Sequence, residues 1–308
     1  MYVEIRKLGK NAKYFLVHSY RGNGKVRKIR KYLGQNLTKE QLKEEKDNAK
    51  KHILGLLDEL RTEVFLFKLT RNQIKKLNKY DYKIRITHLN QKQWQRFTEE
   101  FVFNTNAIEG STVQREEVPE ILHKPKVEDV EEIETKGVAK AVDYIKKTKE
   151  DLSIELINKL HEICFKGSKS FAGLLRNIEV AVADSKGKIL HRGVSVSQLN
   201  LALKDMMLWY RDNKKIFRPL VLAAIIHNQF EYIHPFQDGN GRVGRLLLNF
   251  ILLINKYPPI NIALEDRAEY YWTLQEYQRN QNLKPTVEFL VKQYKKTLRK
   301  VTTKKKKV

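Results

Sequence analysis

The chain has 308 residues, of which 41% are hydrophobic and 31% are charged. A chain of this length can bury a sizeable core, so fibrous and wholly disordered classes are excluded and one or two domains are expected. The formal net charge of +24 comes mostly from the two ends: residues 1–35 hold ten Lys and Arg against Glu4 alone, and residues 292–307 hold nine with no acid.

Two further features bear on the compartment of the protein. The longest apolar run, residues 246–254, is too short to cross a bilayer, and the N-terminus has no signal-peptide core. Cys164 is the only cysteine and lies among apolar residues, so an internal disulfide is excluded and a catalytic thiol is not expected. We therefore expect a cytoplasmic protein with no membrane partner.

Residues 1–37 predict a small, basic β-meander. Three runs rich in β-branched and aromatic residues, at 2–5, 13–20 and 25–33, are separated by turn residues. The third run alternates so that cations fall on both faces of the sheet. Two interpretations follow: residues 1–35 contact nucleic acid through cations and aromatic rings, or an edge sheet uses its lysines against aggregation.

The composition changes at residue 38, and residues 38–115 are predicted to be mainly helical. Thr38 and Gln41 fit a capping box, and Glu, Lys and Leu dominate as far as about residue 69, so one long helix is expected there. Apolar residues recur along it at helical spacing and would pack on the core or on a second subunit of a homodimer. They are Leu54, Leu57, Leu60, Val64 and Phe67.

A second helix is expected to end close to Glu109. An apolar stripe runs up to Ile108, and Gly110 is placed to end the helix in a left-handed conformation. Glu109 then carries a negative charge at the negative end of a helix dipole. An arginine partner would relieve that conflict.

The next segments are predicted from pattern alone. Residues 116–134 are acidic, and we expect a solvated loop and helix start there. Helices are expected at 135–149, 154–165 and 267–281, with His161 a core or edge histidine. A β-hairpin is expected at 179–191 around a turn at 184–187, and residues 301–308 form a basic tail.

The segment that carries the chemistry is residues 233–245, between two apolar helices predicted at 220–233 and 243–254. Pro235 disfavours helical geometry at His234, so extended geometry is expected, with the imidazole facing a cleft. The glycines around Asn240, followed at once by a helix N-terminus, are typical of a phosphate site. Arg242 and Arg245 add charge there, and Asp238 is suited to a hard divalent cation.

These residues closely resemble the signature of the Fic family, whose usual activity is transfer of AMP from ATP to a protein hydroxyl. The match runs through His234, Phe236 and the stretch from Asp238 to Arg245. Thr105-x-x-x-Glu109-Gly110 also matches the inhibitory motif of the family, so the resemblance implies that Glu109 pairs with Arg245. It covers roughly residues 154–294, about half of the chain.

The resemblance implies a mainly α fold, a Fic-type helical core with a β-hairpin flap, preceded by an inhibitory helix and the small N-terminal antiparallel sheet. The Fic core is assigned to residues 116–300, with the flap at 179–196 and a Gly173-x-x-Arg176 stretch ahead of it. In the family, the flap aligns the target side chain by β-strand addition.

The implied activity is Mg²⁺- or Mn²⁺-dependent protein adenylylation, restrained by Thr105, Glu109 and Gly110. His234 would be the general base and Asp238 the metal ligand, while Phe236 anchors the loop. The side chain of Asn240 would help to stabilise charge on the phosphates, and both arginines would grip the leaving pyrophosphate. The assigned ATP and phosphate contacts are Gly239, Asn240, Gly241, Arg242, Gly244 and Arg245.

Two alternatives stay open. The same site could remove AMP from a protein, since Glu109 could position a water. The chain could also be chiefly a nucleic-acid-binding regulator that uses residues 1–35. The expected partners are ATP, an unidentified target protein and the chain itself; Gly241 and Arg245 favour AMP transfer over other Fic reactions.

Overall fold

A computed structural model describes residues 1–22, 25–59, 61–183, 187 and 189–302. The chain divides into two compact units, Met1–Lys76 and Leu77–Val308. The segment predicted as residues 38–115 is thus shared between the two units. The turn predicted at 184–187 is outside the described residues except for Gly187, and so is most of the predicted tail.

The first unit begins with the predicted antiparallel meander, in strand order β1-β2-β3, and each strand is longer than expected: β1 (Tyr2–Leu8), β2 (Asn11–Gly22) and β3 (Lys25–Gln35). Helix α1 (Lys39–Glu59) begins with the predicted capping box, in which the Gln41 N–H donates to Thr38 Oγ1 at 3.2 Å. The helix and one sheet face enclose a core whose buried members are Leu16, Leu33, Ala49, Ile53 and Leu57.

The long helix predicted as far as residue 69 is wrong beyond Glu59. A hairpin follows, made of β4 (Arg61–Val64) and β5 (Phe67–Thr70), and then α2 (Arg71–Asn78). Phe65 has a left-handed φ of 53°, and the β-branched and aromatic residues around it favour strand over helix. Of the predicted apolar stripe, Leu57 and Val64 are buried, whereas Leu54 is 44% exposed and Leu60 is outside the described residues.

The second unit is helical apart from one small hairpin. It starts with a 3-10 turn, Lys79–Lys83. Its hairpin consists of β6 (Ala181–Ala183) and β7 (Ile189–Arg192). Its helices are α3 (Gln91–Ile108), α4 (Val118–His123), α5 (Val130–Lys147), α6 (Ile154–Phe165), α7 (Val196–Asn213), α8 (Pro219–Ile233), α9 (Asn240–Ile254), α10 (Arg267–Asn280) and α11 (Lys284–Thr302).

Helices α8 and α9 form the centre of this unit. Nearly all residues of both are buried, which is the expected result for helices that are apolar on every side. Helix α5 approaches α6 closely at Gly137, where a Cβ would lie 2.1 Å from the carbonyl oxygen of Cys164. None of the helices in the described parts of the chain is long and apolar enough to span a bilayer. The rigid α8–α9 pair fixes both ends of the loop 234–239.

Candidate active site

His234 ends α8 in a left-handed conformation, with φ 54° and ψ 62°. The predicted extended geometry is therefore wrong, although Pro235 does exclude the right-handed helical region. The His234 N–H still donates to the carbonyl of Phe230 at 2.9 Å, so the chain turns sharply within one residue. The imidazole Nδ1 lies 3.3 Å from the carbonyl oxygen of Glu231, a contact that orients the ring.

The imidazole of His234 is held neutral. Burial lowers its pKa to about 4, an effect that the Glu231 carbonyl opposes and the neighbouring His191 reinforces. His191 lies on the flap strand β7, with its ring centroid 6.4 Å from that of His234. A neutral imidazole has a free lone pair at neutral pH, as a general base requires.

The loop is anchored through Phe236, which is fully buried. Its ring stacks on His161 with centroids 3.9 Å apart. His161 Nδ1 accepts from the Gly173 N–H at 2.8 Å, so the opposite nitrogen carries the proton and donates to the carbonyl of Asp238 at 3.0 Å. His161 is therefore a support of the loop, a role that its position 77 residues from Asp238 did not reveal.

Arg176, of the Gly-x-x-Arg stretch, joins the loop to the base of the flap. Its buried guanidinium donates to the carbonyls of His234 at 2.8 Å and Ile178 at 2.9 Å, and it also contacts the carbonyl of Val194. The Arg176 N–H donates to the Pro235 carbonyl at 3.0 Å. One arginine thus fixes the backbone on both sides of the histidine.

The first turn of α9 forms the candidate anion site. Gly239 has a left-handed φ of 84°, and a Cβ there would lie 2.3 Å from the ring of Phe165. The first N–H groups of a helix have no acceptor within it and point outward with the positive end of the dipole. The predicted role of the Asn240 side chain is corrected, because its amide bonds the N–H and the carbonyl of Phe236, at 2.9 and 2.8 Å. Asn240 therefore shapes the loop with its side chain.

Arg245 and the end of α3 meet as the inhibitory motif implies. Arg245 is 1% exposed. Its Nε donates to Thr105 Oγ1 at 2.6 Å, and its Nη2 donates to the Thr105 carbonyl at 2.9 Å and to Glu109 Oε1 at 2.7 Å. A Cβ at Gly241 would lie 2.1 Å from that same Glu109 oxygen. The glutamate thus fills a notch that the glycine leaves beside the anion site.

The chain after Glu109 is fixed in place. Gly110 has the expected left-handed conformation, with φ 95°. Glu131 Oε2 accepts from Ser111 Oγ and from the Thr112 N–H, both at 2.9 Å, and these bonds lower the pKa of Glu131 although burial opposes the shift. The solvated interpretation of the acidic stretch is therefore wrong at Glu131.

The solvated interpretation of the acidic stretch is also wrong at Glu134, whose carboxylate is buried between two cations. Glu134 Oε2 pairs with Arg242 Nη1, and Glu134 Oε1 lies 3.0 Å from Lys169 Nζ. Arg242 also lies over the ring of Phe165, 4.4 Å from its centroid. The predicted pyrophosphate grip of Arg242 is not supported by this arrangement, because its guanidinium is buried and already paired.

Asp238 is half exposed at the mouth of the loop. Its Oδ1 accepts from the Gly239 N–H at 2.6 Å, and its Oδ2 lies 2.8 Å from Lys169 Nζ. Within the described residues there is no group of three or more His, Cys, Asp or Glu that could hold a metal. A metal at Asp238 would need other oxygens, such as those of a nucleotide.

A second carboxyl lies behind the anion site. Glu231 is buried, and a Cβ at Gly244 would lie 2.2 Å from its Oε1. Burial raises the pKa of Glu231 to about 8, although the charge of Arg245 opposes that shift. Glu231 is therefore protonated at neutral pH and does not compete with Glu109 for the guanidinium.

Comparison with known proteins finds similarity to one family. The sequence model of the Fic/DOC family matches residues 151–252. Protein adenylyltransferase fic-1 of Caenorhabditis elegans is 32% identical over 203 residues, covering 62% of this chain and 39% of that protein. Protein adenylyltransferase Fic of Drosophila melanogaster is 29% identical over 206 residues, covering 64% and 40%. The chain spans less than half the length of these relatives.

Solved structures show the same fold. A Fic-domain signalling protein from Bacteroides thetaiotaomicron superposes with a TM-score of 0.62 at 24% identity, covering 74% of this chain and 96% of that one. Fic-1 from C. elegans gives a TM-score of 0.59 at 24% identity, covering 86% and 78%. IbpAFic2, solved with adenylylated Cdc42, gives 0.51 at 16% identity, covering 84% and 79%.

Proposed function

We propose that this chain, whose residues 151–252 match the sequence model of the Fic/DOC family, is a protein adenylyltransferase, which transfers AMP from ATP to a Ser, Thr or Tyr hydroxyl of a protein. The observation that carries the proposal is the position of His234, which ends α8, is held by Arg176, and lies in the loop that leads to the N-terminus of α9. The relatives named as protein adenylyltransferases support it.

In the proposed reaction, His234 takes the proton of the target hydroxyl. The oxygen then forms a bond to the α-phosphorus of ATP, the bond from that phosphorus to the bridging oxygen breaks, and pyrophosphate leaves with the electron pair. The N–H groups of the first turn of α9 stabilise the charge that grows on the phosphates. Arg245, once free, holds the γ-phosphate.

Asp238 is the residue that would hold Mg²⁺ or Mn²⁺. Its carboxylate is half exposed and offers hard oxygen ligands next to the proposed phosphate site, which fits a cation that shares its shell with a nucleotide. When bound, the metal would neutralise phosphate charge. Asp238→Ala should lose both the metal dependence and the turnover of nucleotide.

We also propose that the enzyme is autoinhibited. Glu109 accepts a hydrogen bond from Nη2 of Arg245, the nitrogen that also donates to the Thr105 carbonyl. Its carboxylate fills the notch at Gly241. The Glu109 carboxylate would repel a γ-phosphate that approached the same guanidinium, because both groups are negatively charged. ATP would therefore bind weakly or in a non-productive pose until Glu109 withdraws.

The test is labelling with α-³²P ATP and Mg²⁺, using the Glu109→Gly protein alone and with cell lysate. His234→Ala in that background should lower label transfer about 10²–10⁴-fold, since a general base is lost. The matched control is His88→Ala, which removes an exposed histidine of the same unit. Full transfer by the His234 variant, or equal loss in both variants, would contradict the proposal.

The same proteins test removal of AMP as an alternative. A target labelled by the Glu109→Gly protein is repurified and incubated with unlabelled wild type. Loss of label with wild type, and retention with the Glu109→Gly protein, would show that Glu109 serves hydrolytic removal of AMP. Retention in both cases is expected if the chain only transfers AMP.

We propose a second function, nucleic-acid binding, for the first unit. The face of the meander away from α1 carries cations on all three strands and rings that are partly exposed: Tyr2 is 47% and Tyr32 is 49% exposed. Glu4 is the only acid there and is paired with Arg6 and Arg30. The cations on this face are Arg6, Lys13, Lys28 and Arg30, a charge pattern complementary to a DNA backbone.

The second function is tested with a fluorescent 20-base-pair DNA duplex at a series of salt concentrations. Each phosphate contact contributes about −0.9 to the slope of log K against log salt. The double variant Lys13→Ala with Lys28→Ala should weaken binding and reduce the slope by about 2. The control is the double variant Lys46→Ala with Lys50→Ala, at exposed positions of α1, which should bind like wild type. No binding at low salt, or equal loss in both double variants, would remove this function.

A further inference from the structure

Lys169 is a cation that contacts both buried Glu134 and the proposed metal ligand, Asp238. It lies in the loop after α6, where its own N–H donates to the Phe165 carbonyl at 3.1 Å. Its Nζ lies 2.8 Å from Asp238 Oδ2 and 3.0 Å from Glu134 Oε1, and its side chain is only 18% exposed. The ammonium thus bridges the two carboxylates.

The Asp238 carboxylate is consequently in use at both oxygens. Oδ1 accepts from the Gly239 N–H, and Oδ2 is in contact with Lys169. Arg242 Nη2 is 3.7 Å from the same Oδ2. Two protein cations, Lys169 and Arg242, therefore already face the carboxylate of Asp238.

We propose that Lys169 stands in for the divalent cation at Asp238 in the resting protein, and that metal binding moves its ammonium onto Glu134 alone. The inference rests on the proposed function, which places the metal at Asp238. An ammonium and a divalent ion cannot both contact Oδ2 without strong repulsion. Glu134 provides the alternative site, because its Oε1 already contacts Lys169 and no buried charge is left unpaired after the move.

The charges around Phe165 explain when the exchange occurs. Glu134 and Asp238 balance Lys169 and Arg242, so the resting cluster is neutral. A metal ion alone would leave two uncompensated positive charges. A metal that arrives with the phosphates of a nucleotide brings its own negative charge. Lys169 therefore couples metal binding to nucleotide binding.

The experiment measures Mn²⁺ binding directly, by the EPR signal of free Mn²⁺, with and without ADP. ADP lacks the γ-phosphate, so the wild-type protein can be used whatever Glu109 does. Lys169→Gln should bind Mn²⁺ alone at least tenfold more tightly than wild type, and ADP should then improve Mn²⁺ binding less than it does in wild type. The matched control is Lys166→Gln in the same loop, which removes an exposed lysine, 80% exposed, and should match wild type.

Three outcomes would overturn the inference. Weaker Mn²⁺ binding by Lys169→Gln, in a protein that melts like wild type, would make Lys169 a support of Asp238. Equal tightening by both glutamine variants would reduce the effect to net charge. If Asp238→Asn binds Mn²⁺ with ADP as well as wild type does, the metal site itself is elsewhere. That last result removes the proposed site as well as the exchange, whereas the first two leave the site in place.

Discussion

Two ion pairs, one turn apart on α9, involve the same residue type and differ in their surroundings. Arg242 pairs with Glu134 near the start of α5, and the side chains are 8% and 10% exposed. Arg245 pairs with Glu109, which caps α3, and here the side chains are 2% and 29% exposed. Glu134 is enclosed by cations and a ring, whereas Glu109 sits at a helix end and reaches into a notch. The first pair can only support the fold, and the second can open.

The largest expected effect concerns stability. Glu134→Ala leaves Arg242 buried without its carboxylate and should lower the free energy of unfolding by about 3–5 kcal/mol. Glu109→Ala should cost less, about 1–2 kcal/mol, because Thr105 still accepts from Arg245. Thermal and urea unfolding of both variants measure the difference.

Added pyrophosphate should also distinguish the two ion pairs by its effect on the melting temperature. Pyrophosphate should raise the melting temperature of the Glu109→Ala protein, since an anion can take the vacated place beside Arg245. It should not restore the Glu134→Ala protein, because the vacated place beside Arg242 is buried. Equal free energies of unfolding for the two variants, with an equal rise in melting temperature on adding pyrophosphate, would show that the two pairs are equivalent. That result would contradict the distinction drawn between them.

The next effect is on activity. Glu109→Gly should raise AMP transfer at least tenfold, because freeing Arg245 shifts the site by at least about 1.4 kcal/mol. Arg245→Ala in that background should cancel the gain. The rate of labelling by α-³²P ATP measures both. A glycine variant no faster than wild type, with a harmless Arg245→Ala, would make Glu109 an ordinary surface carboxylate.

The Glu109–Arg245 pair could be predicted from the sequence, and the Glu134–Arg242 pair could not. The loop signature and the short motif at Glu109 are local patterns, so the Glu109–Arg245 pair was predicted and is confirmed at 2.7 Å. Glu134 lies 108 residues from Arg242, within an acidic run that is typical of a solvated surface. A single sequence carries no signal for such distant contacts, and the same holds for Lys169.

Predictions from the local sequence were also wrong where a rule allows more than one backbone conformation. A residue before proline avoids the right-handed helix, and His234 does so in the left-handed region, not in the extended one. Likewise, Glu- and Lys-rich sequence predicted helix past Glu59, where the aromatic and β-branched residues of a hairpin take over. The elements with strong periodicity, such as α6 and the pair α8–α9, were predicted close to their observed bounds.

The smallest expected effect is on pH dependence. Burial lowers the pKa of His234 to about 4, and Glu109 contributes a charge that raises it. A general base works when unprotonated, so kcat/KM of the Glu109→Gln protein should stay constant from pH 8 down to 6 and fall only as the pH approaches 4. An ordinary histidine, with a pKa of about 6.5, would already lose most of its base form at pH 6.

Of the two ion pairs, only Glu109–Arg245 is expected to affect the pH at which kcat/KM falls. Removing the Glu109 charge should shift the acid limb of the profile to lower pH, whereas Glu134→Gln in the same background should leave it in place. Initial rates of label transfer between about pH 3 and 8 measure the limb. A midpoint near 6.5, or a shift caused by Glu134→Gln, would contradict the proposed roles.

The notch at Gly241 ties two distant positions together in evolution. Any side chain there would meet the Glu109 carboxylate, since even a Cβ would lie 2.1 Å from it. The glutamate is the movable partner, so a substitution at Gly241 would evict it without touching α3. In related sequences, the inhibitory glutamate should therefore be kept only alongside glycine at this position. A substitution at either residue, 132 positions apart, could remove the inhibition. Once one of the two has been replaced, selection would no longer preserve the other.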